Sequence, residues 1–223
     1  MSSLSNLANE GYGYFSDGEH GSITVSNQSN SDFISGMMVS GMDNPHGGTI
    51  EMGLYNAAIN PTSSATLSAK HKARYTGAAE VVELTTTPEG EFLGMDNYVG
   101  RSNVDADFDN GTVAANVAYD YHPHSNPTAT NTSTIAMNNG RIVGTSFVGD
   151  THYSLDQSNI AITSQHGQMV GTFAGAEGNT AGGSFLGQLA GSVTRADGTV
   201  RDIQTLYGGT FVAGQVCQNL ACN

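Results

Sequence analysis

The chain has 223 residues, with 7 Lys+Arg against 20 Asp+Glu and a formal net charge of −13. Such a surface repels phosphate backbones and offers no polybasic grip on anionic lipid, which argues against nucleic acid and membrane-surface partners. Only 12% of residues are charged while 29 are Gly; this suits a β-rich extracellular protein, and the apolar alternation is too strong for a disordered chain.

The opening Met1-Ser2-Ser3-Leu4 has neither a positive n-region nor an apolar h-region, so it shows no signal peptide. It reads as a mature region behind a start Met, a cytoplasmic protein being the alternative. No apolar run reaches the ~18 residues of a membrane-spanning helix. Gly11-Tyr12-Gly13-Tyr14-Phe15 is an aromatic and glycine cluster, and residues 23–25 and 33–42 read as strands. Methionine concentrates here, as Met37, Met38, Met42 and Met52. Asn60-Pro61-Thr62-Ser63-Ser64 reads as a loop and residues 65–72 as a short helix or connector. A boundary near residue 72 separates a small N-terminal β-rich domain, 1–72, from a C-terminal domain, 73–223.

The second domain alternates apolar and polar residues between Gly, Asn and Asp clusters, the pattern of strands and turns. Eight segments read as strands: 74–84, 102–108, 112–119, 134–137, 141–148, 168–173, 183–189 and 205–212. Asp109-Asn110-Gly111 and Asn138-Asn139-Gly140 read as tight hairpins, because Asn-Gly tolerates positive φ at both central positions. Asp197-Gly198 gives a third. Short antiparallel strands with tight turns suit a closed barrel or a sandwich. An eight-stranded barrel is filled by its own side chains. Gly144, Gly171, Gly183, Gly187 and Gly209 fall inside these strands, where they relieve curvature or permit close approach. Between Tyr119 and Thr134 runs a long polar loop with Tyr121, His122 and His124; loops of this length are usually functional or disordered. Cys217 and Cys222, the only two cysteines, suit a small disulfide loop, with a two-Cys metal site as the alternative. No Gly-x-Ser-x-Gly elbow, P-loop or His-Glu-x-x-His occurs, so the expectation is a binding protein and not an enzyme.

Gly171-Thr172-Phe173-Ala174-Gly175-Ala176-Glu177-Gly178-Asn179-Thr180-Ala181-Gly182-Gly183-Ser184-Phe185 resembles a signature of the transferrin-binding-protein-B-like family of Gram-negative bacteria. There a strand ending in Gly-x-Phe leads through an Ala-Glu turn to Gly-Gly-x-Phe. Tyr75-Thr76-Gly77, with the stretch from Asp105 to Val113, resembles that family's opening hairpin. The resemblance covers residues 73–213. It implies an all-β protein: a small N-terminal β-rich handle and a C-terminal eight-stranded antiparallel β-barrel. The chain lacks the anchoring N-terminal Cys of the family's lipoproteins, and one short handle with one barrel is similar to the hemophilin-type secreted haemophores of this Slam-dependent superfamily. Such proteins are exported through an outer-membrane translocator and carry haem, iron protoporphyrin IX, to an outer-membrane TonB-type receptor. The same superfamily implies two alternatives: a module that binds a host protein such as transferrin or a complement regulator, and a non-haem metal carrier.

Haem needs an axial donor, usually imidazole, and an apolar slot. His46, in Met42-Asp43-Asn44-Pro45-His46-Gly47-Gly48, has glycines that let a flat ring approach the backbone. Met42, with Met37, Met38 and Met52, would supply a soft wall; a surface-loop histidine beside core methionines is the plainer alternative. His122 and His124 face one side of an extended chain, a geometry for metal, and Tyr119 and Tyr121 beside them would stack on a porphyrin or bond a propionate. A generic polar loop is the alternative there. The basic Lys70-His71-Lys72-Ala73-Arg74 reads first as charge balance and second as an attractor of propionates. His20 reads as a turn residue, and His152 and His166 as structural or exposed. On this reading the ligand sits with the first ~70 residues and the loop at His122, not inside a filled barrel.

Overall fold

The computed structural model describes residues 12–16, 22–30, 32–41, 50–121, 130–156, 159–195 and 197–216. The first four strands, β1 (Tyr12–Ser16), β2 (Ser22–Ser29), β3 (Phe33–Gly41) and β4 (Ile50–Ala58), form an antiparallel meander in chain order. A single-turn helix, α1 (Ser64–Ser68), follows, its Ser63 cap accepting the Thr66 backbone N–H at 3.0 Å. The remaining strands are β5 (Lys72–Thr86), β6 (Phe92–Asp107), β7 (Thr112–Tyr121), β8 (Asn131–Val143), β9 (Ser146–Asp150), β10 (His152–Leu155), β11 (Ile160–Ala174), β12 (Thr180–Thr194) and β13 (Val200–Gln215).

These nine close on themselves. The ladder runs β10-β8-β7-β6-β5-β13-β12-β11-β9, and β9 also pairs with β8. Since β9 and β10 lie end to end against β8, they act as one kinked stave, and the ring has eight staves. The all-β class and the barrel stand as expected. The ring is closed through β8, β9 and β11, while among the described residues β10 pairs with β8 alone and leaves its other edge unpaired against the first half of β11. No helix among the described residues is long and apolar enough to cross a membrane, which says nothing of crossing by strands.

Alternation places the core. In β7, Val113, Ala115, Val117 and Tyr119 are buried while the residues between them are not. Tyr75, Phe108, Phe147, Phe173 and Phe211 fill one end, with Phe173 at 5.1–5.5 Å from three of the other rings. Leu67 of α1 plugs that end, buried against Gly178 in the β11–β12 turn.

One expected hairpin is replaced by a different device. Asn138-Asn139-Gly140 does not turn the chain; it lies inside β8 as a bulge, with Val113 opposite Gly140 and Ala115 opposite Met137. Asn138 and Asn139 are both exposed and Gly140 returns to the inside. The extra residue bends the strand without ending it. The turn falls at Gly144, whose φ of 65° is left-handed, so Gly144 is a turn residue and not a strand glycine. The turns at Gly111 and Gly198 are where the sequence places them. Gly183 and Gly209 meet the other expectation: a Cβ on either would collide with a neighbouring strand's carbonyl oxygen, of Val170 and Glu80 respectively.

The handle sheet lies on the barrel's outer wall. Phe33, fully buried, presses its ring on Gly182. Met37 packs with Val82, Met52 and Leu54, and Met52 reaches Gly208. Met37 and Met52 are therefore core of the handle–barrel contact, the plainer of the two sequence readings. Asp32 locks the seam, accepting hydrogen bonds from Thr180 Oγ1 at 2.9 Å and Asn60 Nδ2 at 3.2 Å.

Candidate functional site

The end of the barrel opposite α1 is not filled. The inward face of β5 runs Tyr75, Ala79, Val81 and then Glu83, so the apolar register delivers a carboxylate into the interior. Tyr153 donates its hydroxyl to Glu83 Oε1 at 2.6 Å, and Tyr119 donates a short hydrogen bond to the same oxygen. Tyr98 stacks on Tyr119 with ring centroids 4.9 Å apart, and Tyr121 meets Tyr98 edge-on at 6.0 Å. Asp96 pairs directly opposite Glu83 across the β5–β6 ladder. Glu83, Asp96, Tyr98, Tyr121 and Tyr153, together with Leu189 and Ile203, line a cavity of about 270 Å³. That volume is below the ~300–1,000 Å³ of drug-sized ligand pockets, so it holds a small molecule or a side chain and not a porphyrin.

Burial raises the Glu83 carboxyl above its ordinary range; the two tyrosine hydrogen bonds oppose this and the Asp96 charge adds to it. Burial likewise pushes up the Tyr98 phenol, reinforced by the charges of Glu83 and Asp96. The tyrosines remain neutral donors around a desolvated carboxylate. Sequence reasoning missed Glu83 and Asp96. The available signal was an acidic residue in phase with Ala79 and Val81 on the buried face of a strand.

Of the residues singled out from sequence, His46, Met42, His122 and His124 lie outside the described residues, as do His20, Cys217 and Cys222. Tyr119 is 2% exposed, inside the barrel with its hydroxyl on Glu83. Tyr121 stands at the rim, where it pairs with Asn131 at the ends of β7 and β8. His152 and His166 are exposed. In the basic cluster, Lys72 pairs with Asp107 at 3.1 Å, Arg74 with Asp105 at 2.5 Å and His71 with Asp109 at 2.9 Å. These pairs sit at the plugged end, so the cluster balances charge there. Among the described residues no three His, Cys, Asp or Glu converge on a metal-holding geometry.

The handle's direction relates it to the mouth. Phe33 sits at Gly182, level with Ala78 through Val212, and Met37 sits at Val82. Over those residues β3 advances from the plugged end toward the mouth. A second concavity, about 430 Å³, opens between β4 at Asn56–Ala58 and the outer wall at Val148, Val170 and Thr172. Its described lining carries no imidazole, thiol or phenol able to hold iron.

The family model for the C-lobe and N-lobe β-barrels of Tf-binding protein B matches residues 67–214. The chain belongs to this family. The matched stretch begins at Leu67 of α1 and ends within β13, so in this Tf-binding-protein-B-type barrel the plugging residue is part of the unit and the handle sheet is not. Intact Ap-TbpB, with its N and C lobes, is a similar solved structure: 14% identity, TM-score 0.46, covering 94% of this chain and 40% of that one. The isotype 1 transferrin binding protein B of serogroup B Neisseria meningitidis is 15% identical, with TM-score 0.42 and coverage of 93% and 36%. A double mutant of the vaccine antigen transferrin binding protein B of Haemophilus parasuis Hp5 is 12% identical, with TM-score 0.46 and coverage of 94% and 38%. The chain thus spans about 40% or less of these relatives' length. No curated protein matches the sequence.

Proposed function

We propose that this protein is an exported haem-binding protein that hands haem to an outer-membrane receptor. The coarser reading, a non-enzymatic binding protein serving iron acquisition outside the cell, is supported by membership of a family named for transferrin binding. The finer reading is supported by position. β3 runs toward the rim at which β7 ends in Tyr121, and the two segments bearing His46 and His122–His124 follow directly from those strands. Haem held by these imidazoles, with Tyr121 beside it, needs no space inside the barrel. In this reading an outer-membrane translocator exports the chain and a TonB-type receptor takes up the haem.

Titration of the purified chain with hemin tests it. The expected outcome is a sharp Soret band saturating at one equivalent, weakened or shifted in at least one of His46→Ala, His122→Ala and His124→Ala. No spectral change with excess hemin, or unchanged spectra in all three variants, refutes it. The family name also supports a second reading, direct capture of a host iron-carrier protein; retention of such a protein from serum by haem-free chain, with no Soret response, would establish that reading in its place.

A further inference from the structure

We propose that the barrel mouth binds a small organic cation, an ammonium group on a short apolar body, seated against the Glu83 carboxylate and walled by the rings of Tyr98 and Tyr121. Glu83 and Asp96 stand directly opposite each other across an antiparallel pair, a like-charge arrangement that disfavours the sheet unless a counter-charge enters. No Lys, Arg or His is among the described residues lining the cavity. The two tyrosine hydroxyls both go to Glu83 Oε1, and Oε2 receives no hydrogen bond from the described residues. Glu83 itself lines the cavity, and a carboxylate has acceptor capacity beyond two hydrogen bonds. A desolvated carboxylate gains most from a ligand that brings positive charge.

The walls select the kind of cation. Tyr98 and Tyr121, at 75° to each other, both line the cavity, and the quadrupoles of such rings attract ammonium groups. Leu189, Ile203 and Val193 offer apolar surface for the ligand's body. A hard metal ion wants six to eight oxygen ligands, and among the described residues the two carboxylates have no third acidic or imidazole partner to supply them. An anion is repelled. A neutral ligand can hydrogen-bond the carboxylate but leaves the like charges of Glu83 and Asp96 uncompensated. The site shares Tyr121 with the haem reading but none of its histidines, so its test uses haem-free protein.

The chain has nine Tyr and no Trp, so its emission is that of tyrosine alone, of which the cavity holds Tyr98, Tyr121 and Tyr153. The full chain is titrated with choline and with its neutral isostere 3,3-dimethylbutanol, followed by emission and by calorimetry. Saturable choline binding is expected, with the isostere weaker by about tenfold or more. Glu83→Gln, which keeps an oxygen for the tyrosine hydroxyls, should lose about tenfold in choline affinity, and so should Tyr121→Leu at the rim, where folding is least at risk. Far-UV circular dichroism checks that each variant is folded. Absence of saturable choline binding up to ~10 mM, equal binding of the neutral isostere, undiminished binding in both variants, or displacement of choline by tighter-binding calcium would overturn the proposal.

Discussion

Phe33→Ala should detach the handle's main anchor. The ring is 0% exposed and sits on Gly182, in the β12 backbone of the barrel wall. Truncating a fully buried Phe costs ~3–5 kcal/mol, the larger values applying where the surroundings cannot collapse. Gly182 is held in ladder pairing on both sides, to Thr172 and Val212, so the floor of the slot stays put, and a loss of about 4 kcal/mol is expected. The reciprocal change is Gly182→Ala. A Cβ there would lie 2.6–2.8 Å from three Phe33 ring carbons, so the ring must shift, at about 1–3 kcal/mol. In the double variant the new methyl enters the space the ring has vacated. The combined loss should fall short of the sum by about 1–2 kcal/mol. Equilibrium urea unfolding of the four proteins, followed by circular dichroism, measures this cycle. Additivity within about 0.5 kcal/mol would mean that handle and barrel do not touch here, and the direction assigned to β3 would fall with it.

Burial raises the folded-state pKa of Glu83 above that of the unfolded chain. Below the unfolded value both states hold the proton; between the two values only the folded state does. Stability contributed by this group therefore falls as pH rises through that window. Asp107 works in the opposite sense, held low by its Asn110 hydrogen bonds and by Lys72, so its contribution is lost as pH falls. The difference in unfolding free energy between the parent chain and Glu83→Gln, measured from pH 4 upward, isolates Glu83; a flat difference refutes the assignment. Gly77→Ala should destabilise by about 3 kcal/mol or more, because the methyl would strike the Val212 backbone, which cannot give way as a side chain can. A loss below about 1 kcal/mol in thermal unfolding would show that β5 and β13 are less closely coiled than described.

The sequence by itself determined the β class, the barrel family and much of the strand inventory. Val113, Ala115, Val117 and Tyr119 alternate, and Gly111 and Gly198 supply left-handed turns, both local properties of the chain. The same local rules misread Asn138-Asn139-Gly140: an Asn-Gly step fits a tight turn and a bulge equally well, and only the pairing of β7 with β8 on one side and β9 on the other selects the bulge. The site was less legible still. Glu83 is an unremarkable strand residue in the sequence, and its character comes from Tyr119, Tyr153 and Asp96, which lie 36, 70 and 13 positions away. Methionines that suited a haem wall proved, at Met37 and Met52, to be the seam between the sheets. Alternation tells a residue which face it takes. What stands opposite that face, and whether the space there is filled, depends on register and closure, which are set by contacts between residues far apart in the chain.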